Sequence, residues 1–353
     1  MRIIRKQLGT SVSSFQRYVH LRTPQAPVQQ RKHQSCQASA TQKVAVVTGA
    51  NTGLGKCSAL HMAKKGYHVI LACRSVSKAE KAAEDIESQC EAGGLSASLD
   101  ILRLDLADLS SVQDFAGSFA AKYDTCDVLL NNAGIMAPPS RELTADGFEL
   151  QIGTNHLGHF LLTSKLMPQL QAAERARIVN VSSIAHTFGA VDLNNLQSEG
   201  FFGYTLQGWP AYGQSKLANL LFTYELHRRL RANLITSVNV NASHPGYVDT
   251  ELPRMLPLNF YPIMGMTGIL ITPEQGVQGQ NELCTSPLLA QASGKYYSEM
   301  APGDWGVMWD VGLVVEVWLD WRSSGGRDKP ASGTRRQCAG GADAEGLGWL
   351  SEP

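Results

Sequence analysis

The first 79 residues contain no acid; the earliest Asp or Glu is Glu80. Through residue 43 the chain carries eight basic residues (Arg2, Arg5, Lys6, Arg17, Arg22, Arg31, Lys32, Lys43) among Ser, Thr and Gln. Such Arg- and Ser-rich, acid-free text is the composition of an organelle transit peptide, and its Gln content favours a chloroplast or other plastid over a mitochondrion. It lacks the continuous apolar core of a secretory signal. A run of about 18 apolar residues is missing throughout, which excludes a transmembrane helix. Cys-x-x-Cys is also missing, and the seven cysteines are an odd number, so neither a disulfide framework nor a zinc site is expected. Free thiols in a reducing compartment, and no metal, are the expectation. Net charge is absent too, with Lys+Arg 31 against Asp+Glu 31, so no global field draws the protein to nucleic acid.

What is present is a globular composition, 43% hydrophobic and 18% charged, in a chain of 353 residues that can bury one sizeable core. Three parts are expected: a basic leader over 1–42, a folded body over 43–300, and a tail over 301–353. In the tail Trp305, Trp309, Trp318 and Trp321 give way to Gly/Ala/Ser/Arg text that cannot bury enough surface to order itself. Through the body, short apolar segments alternate with helical ones. Strands are expected at 44–48, 68–73, 99–104, 128–131, 178–181, 237–242 and 295–298. Helices are expected at 54–65 with Gly66 closing the end, 77–90, 110–122 with Ser110 as N-cap, 155–170 and 212–231. This alternation predicts an α/β fold, a single doubly wound parallel sheet with helices on both faces.

Thr48-Gly49-Ala50-Asn51-Thr52-Gly53-Leu54-Gly55 lies between the first strand and the first helix. Glycines there let the chain turn sharply and let backbone N–H groups approach a pyrophosphate at the positive end of the helix. A site for NAD wants a carboxylate about 20 residues further on, whereas an arginine accommodates a 2′-phosphate. Nineteen residues beyond Gly55 stands Arg74, with no acid nearby, so NADP(H) is the expected cofactor. The alternative for Arg74 is a solvated loop charge. Further along, Tyr212 and Lys216 fall on one face of a helix at i,i+4, Ser182-Ser183 ends a strand, and Asn155 sits within apolar helical text. A satisfied core amide is the other reading of Asn155.

Together these segments resemble the short-chain dehydrogenase/reductase family. The matches run in order through Thr48–Gly55, Asp105-Leu106, Asn131-Asn132-Ala133-Gly134, Asn155, Ser182-Ser183, Tyr212/Lys216 and His244-Pro245-Gly246. Thr-Asn-His-Leu-Gly-His-Phe at 154–160 and Ala-Tyr-Gly-Gln-Ser-Lys-Leu-Ala-Asn at 211–219 are similar to its retinol-dehydrogenase-like branch. The resemblance covers about 43–298 and makes the body an NADP-binding catalytic domain. It implies that Tyr212 exchanges a proton with the substrate oxygen while hydride moves at the nicotinamide. Lys216 would favour the phenolate and hold the nicotinamide ribose, with Ser183, and after it Ser182, bonding the substrate carbonyl. Asn155 would support a water in the proton path. Thr48, Gly49, Asn51, Thr52, Gly53, Leu54 and Gly55 would line the pyrophosphate, and Arg74 the 2′-phosphate. Asp105 and Leu106 would meet the adenine, Asn131, Asn132, Ala133 and Gly134 the adenosine side, and Pro245, Gly246, Val248 and Thr250 the nicotinamide.

The resemblance implies hydride transfer between an alcohol and a carbonyl on a small lipophilic aldehyde or ketone, retinal-like or a lipid carbonyl, by a homo-oligomer. The apolar, Pro- and Gly-broken stretch 252–272 suits a lid over such a ligand as well as it suits core packing. A protochlorophyllide reductase-like enzyme is a second reading; that family commonly has Cys directly after the Pro-Gly, where this chain has Tyr247. A third is a non-catalytic NADP(H)-sensing subunit of an organelle membrane complex.

Overall fold

The computed structural model describes residues 42–200, 204–246, 248 and 271–298. The leader through residue 41, Tyr247, Thr250, nearly all of the 252–272 stretch and the 301–353 tail lie outside the described residues. The body reads β1 (Val44–Thr48), α1 (Gly53–Lys64), β2 (His68–Cys73), α2 (Val76–Glu91), β3 (Ser98–Arg103), α3 (Leu109–Lys122) and β4 (Val128–Asn131). It continues with α4 (Gly158–Ala172), β5 (Ala176–Val181), α5 (Tyr204–Ala232), β6 (Val238–His244), α6 (Pro273–Gly276), α7 (Gln278–Thr285) and β7 (Tyr296–Ser298). The seven strands form one parallel sheet in the order β3-β2-β1-β4-β5-β6-β7. Among the described residues no helix is long and apolar enough to cross a membrane.

Alternation along β1 divides the core between the two sheet faces. Val44 and Val46 join Ile70, Phe115, Phe119, Leu162 and Leu166 on the side of α3 and α4. Ala45 and Val47 join Val69, Leu71, Met62 and Ile86 on the side of α1 and α2. The central strands β1, β2 and β4 are therefore covered on both faces, which is why they read as nearly continuous apolar runs. Past α1, Gly66 takes φ +83, a left-handed conformation that glycine adopts at little cost.

Three local expectations are corrected. The N-cap of α3 is Asp108, whose carboxylate accepts from the backbone N–H groups of Ser110 and Ser111; Ser110 lies inside the first turn. The helix expected from residue 155 is preceded by an α-helical turn at Leu150–Ile152 and a π-helical turn at Gly153–Leu157, and runs on as α4. Finally, α5 begins at Tyr204 rather than Tyr212 and passes through Pro210. Proline removes a backbone donor, and local propensity alone would stop the helix there. Tertiary bonds hold that end instead: Gln151 Nε2 donates to the Gly208 carbonyl at 2.9 Å, and the Tyr204 hydroxyl donates to the buried Glu149 carboxylate.

Replacing Asp108 with alanine removes the acceptor for two N–H groups at the start of α3. The expected loss is about 1 kcal/mol, or roughly 2–4 °C in Tm, read by urea and thermal unfolding. The same measurement on Ser110→Ala gives a smaller change, and a larger loss there would restore Ser110 as the cap.

Candidate active site

Strand order reverses at β1, where the chain leaves β1 and β4 toward opposite faces and opens a crevice at their C-terminal ends. The turn after β1 is built from backbone at close quarters. Gly49 and Gly53 take φ +68 and +51. A Cβ on Gly55 would lie 2.3 Å from the Gly49 carbonyl oxygen and 2.6 Å from Asn132 Nδ2. The N-cap residue Thr52 makes no side-chain bond to α1, and no acid stands in the first turn. The first N–H groups of α1 are therefore without a capping side chain, at the positive end of a helix dipole, as an anionic diphosphate requires. A dinucleotide fits this cradle.

The remaining sequence-assigned nucleotide residues distribute around it. Arg74 is exposed and follows β2 directly. Asp105, just beyond β3, accepts from Ala107 N at 3.0 Å, and its own N–H donates to Ser111 Oγ at 3.0 Å. Leu106 is buried, and its carbonyl would sit 2.5 Å from a Cβ on Gly158, so α4 docks there only because Gly158 has none. Asn132 Nδ2 donates to the Thr48 carbonyl at 2.9 Å, tying the turn after β4 to the end of β1. Two side chains point elsewhere. The Thr48 hydroxyl is fully buried and accepts from Asn132 N and Ala133 N, each at 2.9 Å. Asn131 is buried on Thr163 and Asn180, at 3.0 and 2.8 Å, away from the crevice. Pro245 and Gly246 follow β6, with Gly246 at φ +84. Val248 is buried and bridges to Ile271.

Across the crevice, α5 and the end of β5 bring Ser183, Tyr212 and Lys216 together. Ser183 heads a 3-10 turn (Ile184–Phe188) that lies on α5. That contact is backbone against backbone: a Cβ on Gly189 would come 2.2 Å from the Gly213 carbonyl oxygen, and one on Gly213 would come 2.7 Å from the Ala185 carbonyl oxygen. Burial pushes the Tyr212 hydroxyl up to about 12, and a hydrogen bond with Ser183 pulls it the other way. The Lys216 Nζ lies 5.5 Å from the Tyr212 ring centroid and donates to the Val181 carbonyl at 3.1 Å. Its burial brings the ammonium down to about 8. Ser182 is turned from the crevice and donates to the Lys216 carbonyl at 2.9 Å, pinning α5 to β5.

Asn155 sits in the π-helical turn and is fully buried. Its Oδ1 accepts from Ile135 N at 2.9 Å, and its Nδ2 donates to the Ile135 carbonyl and to Ser215 Oγ, both at 2.9 Å. It thus clamps the loop after β4 to α5, one residue from Lys216. A Cβ on Gly134 would lie 3.3 Å from Asn155 Oδ1 and 3.5 Å from Lys216 Nζ, so this glycine leaves the space beside the amine open. Sequence reading missed the buried Glu149–Gln151–Tyr204 cluster and His159. Their only signal was polar residues within apolar text, and Glu149 lies 55 residues from the tyrosine it bonds.

The chain matches the short chain dehydrogenase family model over residues 43–195. It is 43% identical to human retinol dehydrogenase 11, over 73% of this chain and 77% of that protein. It is 42% identical to human retinol dehydrogenase 13, over 74% and 78% respectively. Among solved structures, an uncharacterised protein from Mycobacterium paratuberculosis superposes with a TM-score of 0.58 at 36% identity, over 79% of this chain and 91% of that one. A putative NAD(P)-dependent gluconate 5-dehydrogenase from Beutenbergia cavernae, solved with bound NADP, gives a TM-score of 0.56 at 26% identity, over 74% and 96%.

The depressed Lys216 ammonium has a measurable signature. An unfolded lysine titrates near 10.4, so between about pH 8 and pH 10 the unfolded chain binds the additional proton, and stability rises with pH through that window. Below about pH 8 both states are protonated and the burial penalty is complete. The difference in urea-unfolding free energy between wild type and Lys216→Met is expected to grow in favour of wild type from about pH 8 to pH 10. A pH-independent difference would place the amine in solvent-like surroundings.

Proposed function

From the membership of this chain in the short-chain dehydrogenase family we infer an NADP(H)-dependent oxidoreductase that interconverts an alcohol and a carbonyl on a small lipophilic aldehyde or ketone. The observation that carries this reading is the convergence of Ser183, Tyr212 and Lys216 at the mouth of a crevice whose other wall is the uncapped start of α1. The nicotinamide supplies or receives the hydride when bound. The chain's own residues handle the proton and the geometry. Ser183 donates to the substrate oxygen and holds the Tyr212 hydroxyl in line with it. Tyr212 gives or takes the proton at that oxygen. The Lys216 ammonium, one turn along α5, favours the phenolate and opposes the burial that raises it. Asn155 keeps the Ile135 loop and Ser215 at fixed distance from that lysine. The identity to retinol dehydrogenases 11 and 13 supports an apolar, retinal-like or lipid carbonyl as the substrate class.

Exposed Arg74, placed directly after β2 where no acid follows, supports NADP(H) over NAD(H). Fluorescence titration is expected to show NADPH bound in preference to NADH, and Arg74→Asp to weaken NADPH roughly tenfold to a hundredfold, reversing the preference. Equal affinity of wild type for both nucleotides would overturn the NADP(H) assignment and leave the oxidoreductase reading standing.

A screen of the purified protein with NADPH and retinal-type, alkanal and quinone carbonyls tests the activity itself. Tyr212→Phe is expected to lower kcat on any substrate found by roughly a hundredfold to ten-thousandfold while NADPH Kd stays within about threefold. Nucleotide binding with no turnover on any apolar carbonyl would favour the non-catalytic sensing subunit instead.

A further inference from the structure

His159 is 2% exposed, and both of its ring nitrogens are bonded. Nδ1 lies 3.0 Å from the carbonyl oxygen of Asn155, and Nε2 lies 2.9 Å from Thr48 Oγ1. A carbonyl oxygen has no proton to give, so the hydrogen is on Nδ1. Burial holds the ring's pKa down to about 4, with the nearby Lys216 and His156 pushing in the same direction, so the imidazole is neutral at working pH. Nε2 is then a bare acceptor, and the proton it takes is that of the Thr48 hydroxyl. The other acceptor within that hydroxyl's reach, the Leu130 carbonyl, is longer at 3.3 Å. With its proton spent on His159, Thr48 Oγ1 turns its lone pairs to the N–H groups of Asn132 and Ala133.

The bonds form one directed chain: Asn132 and Ala133 N–H to Thr48, Thr48 O–H to His159, His159 N–H to the Asn155 carbonyl. Asn155 in turn grips Ile135 through both its side-chain atoms. The loop 132–135 is thus held at its first residues by Thr48 and at its last by Asn155, and His159 joins the two grips. We propose that His159, fixed as its Nδ1–H tautomer, is a positioning residue that sets the nucleotide loop after β4 and the Asn155–Lys216 proton path at a common distance. The kinetic half of this inference rests on the oxidoreductase reading above; the tautomer and the binding arm do not require turnover.

The first measurement is the long-range 1H–15N spectrum of the full chain labelled with 15N-histidine, free of cofactor. The ring whose signals are lost in His159→Gln is expected to show Nδ1 protonated and Nε2 bare, unchanged from about pH 6 to pH 8. A ring at 159 with Nε2 protonated, or doubly protonated at neutral pH, overturns the proposal. The second is NADPH Kd and steady-state kinetics for His159→Leu, His159→Gln, Thr48→Val and the His159→Leu/Thr48→Val pair. His159→Leu is expected to raise NADPH Kd roughly tenfold and to lower kcat with substrate KM within about twofold, while His159→Gln, which keeps one donor and one acceptor, recovers most of both. The double variant is expected to bind no more weakly than Thr48→Val within about twofold, since both act on one chain of bonds. Losses that multiply, or a His159→Gln variant as poor as His159→Leu, overturn it. Should His159→Leu fail to fold, the wild-type spectrum and the Gln variant still decide. A wild type that binds no nucleotide while keeping the tautomer would sink the function assigned above and not the ring's assignment.

Discussion

The reversal of strand order at β1 is the constraint on which the rest of the molecule depends. In a parallel sheet with right-handed crossovers, helices that leave β1 and β4 must go to opposite faces, and the ends of those two strands are left facing a gap. Much of the candidate site lies within two residues of the C-terminal end of a strand. Gly49 leaves β1, Arg74 leaves β2, Asp105 and Asn132 lie just past β3 and β4, and Ser183 and Pro245 follow β5 and β6. Asn155, the Tyr212–Lys216 pair and the residues that open α1 come from helices, and the first two are tied back to strand ends. Lys216 is held by the Val181 carbonyl at the end of β5 and by the Ser182 hydroxyl just beyond it, and Asn155 by the Ile135 loop beyond β4.

This arrangement puts opposing demands on the same side chains. Tyr212 and Lys216 are buried enough to destabilise their charged forms, which raises the phenol and lowers the ammonium. The two shifts carry the proton affinities apart, the phenol up to about 12 and the ammonium down to about 8, so burial keeps the proton on the tyrosine and makes the lysine the first of the pair to lose its charge as pH rises. The stability lost by burying an amine is offset by a carbonyl acceptor and an aromatic face.

Much of the sheet was legible in the sequence because a strand covered on both faces has one simple signature, a short apolar run between turn residues. The runs at 44–48, 68–73 and 128–131 have the bounds of β1, β2 and β4. Helix ends were less legible, because a cap depends on where the chain enters. Asp108 and Ser110 are both good capping residues, and only the backbone at Asp108 is extended. The start of α5 was hidden by Pro210, since the bonds that carry the helix past it come from Gln151 and Glu149, far away in sequence. At the site, residue types and order were readable, while direction was not. Thr48, Asn131 and Ser182 stand in motif positions, yet their side chains face the sheet's own seams rather than the crevice.

The contact between Gly189 and Gly213 has a consequence for how such a site can vary. Two backbones touching with no side chain between them have no rotamers to exchange, so the spacing of Ser183 from Tyr212 does not depend on which side chains surround it. Phe188, exposed beside Gly189, adds no packing to this backbone contact, whereas half-exposed Trp209 meets the Tyr212 ring edge-on at 6.3 Å between centroids and is the neighbouring side chain that touches the pair. The spacing of the two residues is thus set by main chain, which a substitution elsewhere on the surface does not alter.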